Sequence, residues 1–482
     1  MKKSPVYLIS VFIATRLAID LKIPFACDTI NTHMQYLDPR VLRNNLAQGI
    51  WYLHSQPPLF NLSLGLVLKL QPRHLQTAVF SAAYFLMGLL IVLASFALMR
   101  KLAVSNGLAW GACLCLMLFP PSIRAERWLF YPYPLEALTV LAALSLCHFE
   151  TRKKYAFFVL FELTLAAVVL SRSLYHLILW MLRLSVLMLV WIYVRVPREI
   201  KRYTATALVF FLLASSAYVK NYAQYRIFSS STWLGMNLMD MTYYIPYSVK
   251  RGMVEKGQIT PLALVHNISE PQGYFEYFKL KPVNDNSIIG DLRKSTGAPN
   301  FNNYIYARME PELQRNAIVL ITHDPLDYLG AVVNEAYIFF SFKPYRYFDQ
   351  WRTWLVPRTD SMRHFAFDTA LAFGAPLFMV SLFFLALYAV LEPLFRRGLG
   401  LRRVFENEDN LPLLRFFIAF NLVYVCAVSN LLEIGEGCFF RMPIDALLFI
   451  GASLALKAWL SRREHKPLSN PNLTSFPLGI KT

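Results

Sequence analysis

The run Leu75–Met99, LQTAVFSAAYFLMGLLIVLASFALM, is apolar almost throughout and is followed directly by the basic pair Arg100-Lys101. It is longer than the roughly 20 apolar residues that a helix needs to cross the hydrocarbon core of a membrane. Similar runs occur at Leu174–Val194 and Phe367–Leu391. The chain of 482 residues is 56% hydrophobic with a mean hydropathy of +0.39, which is rare for a soluble domain. The sequence therefore predicts a multi-pass integral membrane protein.

Basic clusters recur between the apolar runs and predict the topology. They are Lys2-Lys3, Arg100-Lys101, Arg152–Lys154, Arg195–Arg202, Arg396–Arg403 and Arg462–Lys466. An even number of predicted crossings separates each cluster from the next, and short cytoplasmic loops collect Lys and Arg. We therefore predict an all-α bundle of about ten transmembrane helices with both termini in the cytoplasm. The membrane is predicted to be the inner membrane of a bacterium.

Three regions follow from this topology. Residues 1–219 are predicted to form an N-terminal transmembrane module that carries catalytic outer loops. Residues 220–364 are predicted to form a mixed extracytoplasmic domain, because they are the only long stretch rich in Pro, Asn, Gly and charge. Residues 365–482 form a C-terminal module with a cytoplasmic tail. The segment Leu59–Leu70 follows Pro57-Pro58 and is too short to span, so we predict an interfacial helix there.

Charge and cysteine content exclude some classes of function. The net charge of +18 suits topology signals and contact with anionic lipid headgroups, so nucleic acid is not an expected partner. No Cys/His spacing resembles a zinc site. Cys27 and Cys438 both fall on the predicted outer side and are candidates for a disulfide.

Acidic residues gather on the predicted outer side, after helix ends. Asp28 and Asp38 follow the first helix, and Glu126 lies between two arginines in a predicted outer loop, Ser122–Arg127, after the third. A carboxylate at the membrane boundary can act as general base toward a hydroxyl. The alternative is that Asp28 and Asp38 cap turns or helices. Arg16 and Asp20, four residues apart in the first helix, are predicted to pair with each other.

Basic and polar residues on the same side are candidates for substrate binding. Arg172 lies in a very short loop, where a bare guanidinium is costly unless it meets an anion or reaches water. Its planar fork suits a phosphate. Arg441 is a second candidate for anion contact, and snorkelling to water is its alternative role. The other candidates are His54, Gln56, His176 and Glu436.

These features resemble the GT-C glycosyltransferases, membrane enzymes that use polyprenyl-phosphate sugars and include protein O-mannosyltransferases and aminoarabinose transferases. The family has an acidic motif after the first helix, a Gly-aromatic step, a Pro-Pro-Leu interfacial helix, an acidic residue after the third helix and a basic residue between helices five and six. The matching positions here are Asp38 or Asp28, Gly49–Trp51, Pro57–Leu59, Glu126 and Arg172. The family's Asp-Glu pair is absent, since Pro39 follows Asp38 and Thr29 follows Asp28.

The resemblance implies inverting transfer of a sugar from a polyprenyl phosphate to a glycan, lipid or protein acceptor. Asp38 or Asp28 would be the base, and Arg172 and Arg441 would stabilise the departing phosphate. Glu126 would orient the acceptor or hold a divalent ion such as Mg²⁺ or Mn²⁺. Two alternatives stay open: a transporter or flippase of lipid-linked saccharide, and a polymerase or ligase that uses the same class of lipid.

Overall fold

A computed structural model describes residues 4–265, 270–280, 287–341, 374–395 and 411–464. Within these ranges the chain is helical with short connections, and it contains no β-strand, only two isolated bridges. The basic clusters at Lys2-Lys3 and Arg396–Arg403, and the predicted helix residues 367–373, lie outside the described residues. The prediction of an all-helical fold is therefore confirmed for the part of the chain that can be seen.

The helices of the first half are α1 (Ser4–Asp20), α2 (Thr29–Thr32), α3 (Pro39–Asn44), α4 (Leu46–Tyr52), α5 (Pro58–Leu68), α6 (Arg73–Lys101), α7 (Asn106–Met117), α8 (Pro120–Glu126), α9 (Pro132–Arg152), α10 (Tyr155–Val169), α11 (Arg183–Arg195) and α12 (Ile200–Tyr225). A π-helical stretch, Leu177–Leu182, runs into α11, and a 3₁₀ turn, Pro197–Glu199, precedes α12.

The helices of the second half are α13 (Leu234–Asp240), α14 (Tyr247–Glu255), α15 (Pro271–Tyr277), α16 (Ser287–Gly290), α17 (Tyr304–His323), α18 (Pro325–Phe340), α19 (Ala375–Phe395), α20 (Pro412–Leu432), α21 (Gly437–Arg441) and α22 (Asp445–Glu464). Short 3₁₀ turns occur at Pro261–Leu264 and Met442–Ile444.

Proline marks where many of these helices begin. Pro58, Pro120, Pro132, Pro325 and Pro412 each occupy the first turn of a helix. The first turn tolerates proline, because its backbone N–H groups have no partner within the helix. The predicted interfacial helix at Leu59–Leu70 is confirmed as a helix, α5. The predicted loop Ser122–Arg127 is instead mostly helical, because Pro120 opens α8 there.

Among the described residues, six helical segments are long and apolar enough to cross a membrane, which makes this a membrane protein. They are Arg73–Lys101, Leu177–Arg195, Pro197–Tyr225, Ala375–Leu394, Pro412–Leu432 and Gly437–Arg462. A seventh span results if α7 and α8, bent by 59°, are taken together. Helices α1 and α10, with 17 and 15 residues, fall short of the roughly 20 needed. The ten-helix count and the sidedness therefore stay predictions.

A buried ion pair joins α1 to the end of α8. Arg16 of α1 donates from Nη2 to Glu126 at 2.7 Å, and both side chains are almost wholly buried. Arg16 also donates to the Met117 carbonyl at 2.8 Å. The predicted pair between Arg16 and Asp20 is therefore wrong, since Asp20 pairs with Arg127 instead. The true partners, Glu126 and Arg127, lie at the end of α8. The spacing of residues within α1 gives no information about them.

A second apolar core lies apart from the bundle, in residues 233–320. Its buried members are Trp233, Met236, Met239, Ile245, Met253, Ile259, Leu262, Tyr274, Phe275, Phe301, Ile305, Tyr306, Met309, Leu313, Ala317 and Leu320. Because these side chains pack against one another, the middle of the predicted domain 220–364 has a core of its own. Residues 342–364 of that domain lie outside the described residues. Cys27 and Cys438 are both free thiols, so the candidate disulfide is absent.

Candidate functional site

Two stretches that lie far apart in the sequence pair with each other at one end of the bundle. We call Cys27–Gln56 the first loop and Arg127–Tyr131 the second loop. The Ala26 N–H, just before the first loop, donates to the Arg127 carbonyl at 2.8 Å, and the Leu129 N–H donates to the Ala26 carbonyl at 3.0 Å. The Tyr36 hydroxyl donates to the Leu129 carbonyl at 2.6 Å. These bonds fix the first loop against the second.

Aromatic side chains extend the contact between these two loops to α21. The centroid of the His33 ring lies 5.3 Å from that of Trp128 and 4.8 Å from that of Phe130. Phe439 of α21 packs 5.2 Å from Trp128. Burial, with Lys294 nearby, lowers the pKa of His33 to about 4. His33 is therefore neutral at physiological pH and contributes packing to this wall.

Arg172 lies where these elements meet. Its guanidinium carbon is 4.3 Å from the centroid of Tyr131 and 4.7 Å from that of Phe440. It donates a hydrogen bond to the Tyr131 hydroxyl. The residue is only 7% exposed, yet no described carboxylate is close enough to form an ion pair with it. Arg172 is thus a buried cation held by two aromatic faces and one hydroxyl, arrangements that stabilise guanidinium without neutralising its charge.

Two carboxylates face Arg172 from the last loop, which we define as Glu433–Glu436. Burial raises the pKa of Glu433 well above its usual value, and the neighbouring Glu436 raises it further. Burial also raises the pKa of Glu436. The positive charge of Arg172 opposes the rise at both residues. Neither side chain accepts a hydrogen bond from the described residues, so both remain available to a ligand.

Asp38 is clamped by a turn from the second core. Its Oδ1 accepts from the Ser295 hydroxyl at 2.6 Å, and its Oδ2 accepts from the Ser295 N–H at 2.5 Å. Oδ1 also accepts from the Arg40 N–H at 2.8 Å, which caps α3. Next to Ser295, Lys294 donates to the His33 carbonyl at 2.6 Å and Thr296 to the Asn31 carbonyl at 2.6 Å. Asp38 is an anchor of the first loop in this structure.

Asp28 is in the opposite situation. It is exposed, and its carboxylate accepts no hydrogen bond from the described residues even though it precedes α2. The electrostatic effect of Asp28 on the pKa of both Cys27 and His33 places it beside the aromatic wall. Of the two candidate bases, Asp28 has the free carboxylate, which a general base requires.

The other predicted binding residues are mostly engaged in structural bonds. His54 is fully buried, with Nδ1 2.8 Å from the Thr232 hydroxyl and Nε2 3.0 Å from the Asn302 carbonyl. Burial lowers the pKa of His54 to about 3. His176 caps the π-helical stretch, since its Nδ1 accepts from the Ile178 N–H at 3.2 Å. Gln56 is buried at the start of α5.

Arg441 and Glu126 are also closed off. Arg441 is 0% exposed and donates from Nε to Asp445 at 2.9 Å and from Nη1 to the Ser341 carbonyl at 2.9 Å. Glu126 accepts from Arg16 with both oxygens and from the Tyr133 hydroxyl at 3.1 Å. Neither residue lies open to a substrate here. Arginine and glutamate at these positions instead hold helices together.

The donor set near Glu126 does not fit a divalent ion. Arg16 occupies both carboxylate oxygens of that residue, and a guanidinium at this distance would repel a metal cation. Nowhere in the described residues do three His, Cys, Asp or Glu side chains come together as metal ligands would. No family model, no curated protein and no solved structure matches the chain. The geometry of the site is therefore the main guide to its chemistry.

Sequence reasoning missed three residues of the site. Glu433 lies three residues before the predicted Glu436, and that spacing in a short loop was the available signal. Tyr131 is the last residue of the aromatic second loop, but nothing in the sequence marks it as a partner of Arg172. Lys294 lies in a turn far along the chain, so only the fold brings it to the first loop.

Proposed function

We propose that this protein is an inverting membrane glycosyltransferase of GT-C type, which transfers a sugar from a polyprenyl-phosphate donor to an acceptor hydroxyl outside the cytoplasm. The acceptor is a glycan, a lipid or a protein, and the membrane is the bacterial inner membrane. The observation that carries the proposal is Arg172. A buried guanidinium that is held on aromatic faces, with no ion-pair partner among the described residues, is suited to a phosphate from the lipid phase.

The proposed reaction is a single displacement. The acceptor oxygen attacks the anomeric carbon of the donor and its proton passes to Asp28. The bond between that carbon and the phosphate oxygen breaks, and polyprenyl phosphate leaves with the electron pair. Arg172 stabilises the negative charge that develops on the phosphate, a kind of contribution that is often the largest in such reactions. Attack from the face opposite the leaving group inverts the configuration.

Asp28 is favoured over Asp38 as the base because of their hydrogen bonds. Three donors already occupy the oxygens of the Asp38 carboxylate. Asp28 lies next to His33, whose ring contacts Phe130, and Phe130 contacts Tyr131 at 4.1 Å between centroids. A continuous aromatic wall therefore connects the loop of Asp28 to Arg172, and a sugar ring packs well against such a wall.

Release of polyprenyl phosphate tests the activity. Purified protein in lipid nanodiscs would be mixed with a panel of polyprenyl-phosphate sugars and acceptor extracts, and the freed lipid phosphate measured by mass spectrometry. We expect release that depends on both donor and acceptor and is lost in Asp28→Asn. Movement of intact lipid-linked sugar across vesicles without release would identify a transporter instead. Extension of a glycan with a lipid diphosphate donor would identify a polymerase or ligase.

Reporter fusions test the sidedness. Alkaline phosphatase is active only outside the cytoplasm, so fusion after Lys250 is expected to give activity and fusion after Arg402 none. The reverse pattern would place the site on the cytoplasmic side. It would exclude an extracytoplasmic acceptor while leaving the chemistry of Arg172 open.

A further inference from the structure

The helix α18 carries an apolar stripe that the described residues leave exposed. Leu326, Leu329 and Val333 are 80%, 53% and 63% exposed. Their spacing of three and four residues puts them on one side of the helix. An exposed apolar surface of this kind marks contact with a protein or a membrane.

The opposite side of α18 is fixed to the membrane bundle. Glu335 is 0% exposed and accepts from the Gly435 N–H at 2.6 Å. Tyr328 donates from its hydroxyl to the Leu431 carbonyl, at the end of α20, at 2.8 Å. At the end of the helix, Phe340 lies on the side of the stripe, seven residues after Val333, and is buried there against Phe383 of the span α19, with 5.5 Å between ring centroids. The end of α18 therefore reaches below the level of the last loop.

The carbonyl groups at the end of α18 accept hydrogen bonds from a buried side chain of the bundle. Arg441 donates to the Phe339 carbonyl and to the Ser341 carbonyl, the latter at 2.9 Å. The helix ends at Ser341, where the backbone becomes extended. The last carbonyls of a helix have no partner within it, and inside a membrane they must be bonded by protein. A buried arginine at this end also suits the negative pole of the helix dipole.

Except for the buried Glu335, charged residues are confined to the other end of α18. His323 and Asp324 immediately precede the helix and Asp327 lies in its first turn, and the half-buried Asn334 adds a neutral polar side chain further along. Charge at one end followed by an apolar stripe matches a helix that passes from the headgroup region into the hydrocarbon. The spans α19 and α20, against which α18 packs, also expose apolar residues, such as Leu377 on α19 and Val423 on α20.

From this continuity we infer that Pro325–Phe340 is embedded in the outer part of the bilayer, with its stripe in contact with lipid acyl chains. Its 16 residues are too few to cross the membrane. The helix does not belong to the water-exposed part of the predicted domain 220–364, which would then end near Asp324. Glu335 joins this lipid-facing helix to the last loop. Arg441 joins its end to α21, where Phe440 contacts Arg172. The inference does not depend on glycosyl transfer.

Cysteine labelling tests the lipid contact. Leu329→Cys and Val333→Cys would be made beside Tyr243→Cys, which replaces a side chain 74% exposed in the second core region. Fragmented membranes, open on both sides, would be treated with a charged maleimide. We expect labelling of Tyr243→Cys to be at least tenfold faster than that of the two α18 variants, with all three equal after denaturation. Equal rates in the membrane would overturn the inference.

A spin label at the same positions gives an independent measurement. Dissolved oxygen concentrates in the bilayer, whereas a charged nickel reagent stays in water. We expect the label at Val333→Cys to collide more often with oxygen and the label at Tyr243→Cys more often with nickel. If the label at Val333→Cys prefers nickel, a protein partner or open water covers the stripe, and the lipid contact is wrong. Neither assay depends on which side of the membrane the site faces, and neither uses a substrate. Their outcome is therefore independent of the proposed function.

Discussion

Arg172 and Arg441 look alike in the sequence, and the structure gives them different surroundings. Each lies near a helix end on the same side of the bundle, and each is a candidate phosphate ligand. Arg441 forms an ion pair with Asp445 and donates to two backbone carbonyls. Arg172 contacts the faces of Tyr131 and Phe440 and one hydroxyl. Glu433 and Glu436 lie near it without forming an ion pair in the described residues. Burial does not distinguish the two arginines, since both are buried. The difference is that Arg441 forms an ion pair with a carboxylate of the protein, Asp445.

The same contrast separates the two aspartates of the first loop. Asp38 is bonded to Ser295 and Arg40, whereas Asp28 has a free carboxylate. A charge whose bonds are complete within the protein stabilises the fold, and a charge with unused bonding capacity is available to a substrate. On this ground Asp28 and Arg172 are expected to act on the substrate, and Asp38 and Arg441 to stabilise the fold.

The largest expected effect is on the aspartates. Asp28→Asn is expected to slow sugar transfer by roughly 10²–10⁴, because the amide cannot accept the proton. Asp38→Asn is expected to retain most of the rate per folded molecule but to lower thermal stability. Turnover of purified, folded protein would be compared with the melting temperature of each variant. The reverse ranking would make Asp38 the base and remove the contrast between free and bonded carboxylates.

Arg441→Leu is expected to damage the fold. It leaves Asp445 buried without its partner, and breaking a buried pair in this way costs about 3–5 kcal/mol. Yield and melting temperature should both fall, and the double variant Arg441→Leu/Asp445→Leu should recover part of the loss because the unpaired charge is gone. An Arg441→Leu protein that melts like the wild type but fails to bind polyprenyl phosphate would make Arg441 a ligand after all.

Arg172→Ala is expected to leave folding almost unchanged and to slow transfer by roughly 10²–10³, the range seen when one stabilising donor to a developing anion is removed. Affinity for polyprenyl phosphate should fall with it. Arg172→Lys should recover only part of both, because a single ammonium replaces the planar fork. Calorimetric titration with short-chain polyprenyl phosphate would measure the affinity. Unchanged affinity and rate in Arg172→Ala would show that this arginine is only a topology signal.

The sequence predicted the all-helical character because hydropathy is a local signal, and Pro58 marked the start of α5. Proline alone did not separate the end of one helix from the start of the next at Pro120, where α8 begins. It could not decide between Asp28 and Asp38, because the partner of Asp38 lies 257 residues further along the chain. The partners of Arg441 at the end of α18 are likewise about a hundred residues away. A role that depends on which bonds are already filled is invisible until distant segments are brought together.

The smallest expected effect concerns the turn that holds the first loop. Ser295→Ala removes the hydroxyl that donates to Asp38 but keeps the backbone N–H bond, so a loss of about 1–3 kcal/mol in local stability is expected for a bond to a charged group. Hydrogen exchange at the amides of α3 should quicken, because their cap, Asp38, is held less firmly. Ser295→Thr keeps the hydroxyl and serves as the matched control. Melting of the whole protein should hardly change, since the bundle core is untouched. Exchange that is identical in Ser295→Ala and Ser295→Thr would show that the backbone bond alone anchors Asp38, which would then have bonding capacity to spare and would return as a candidate base.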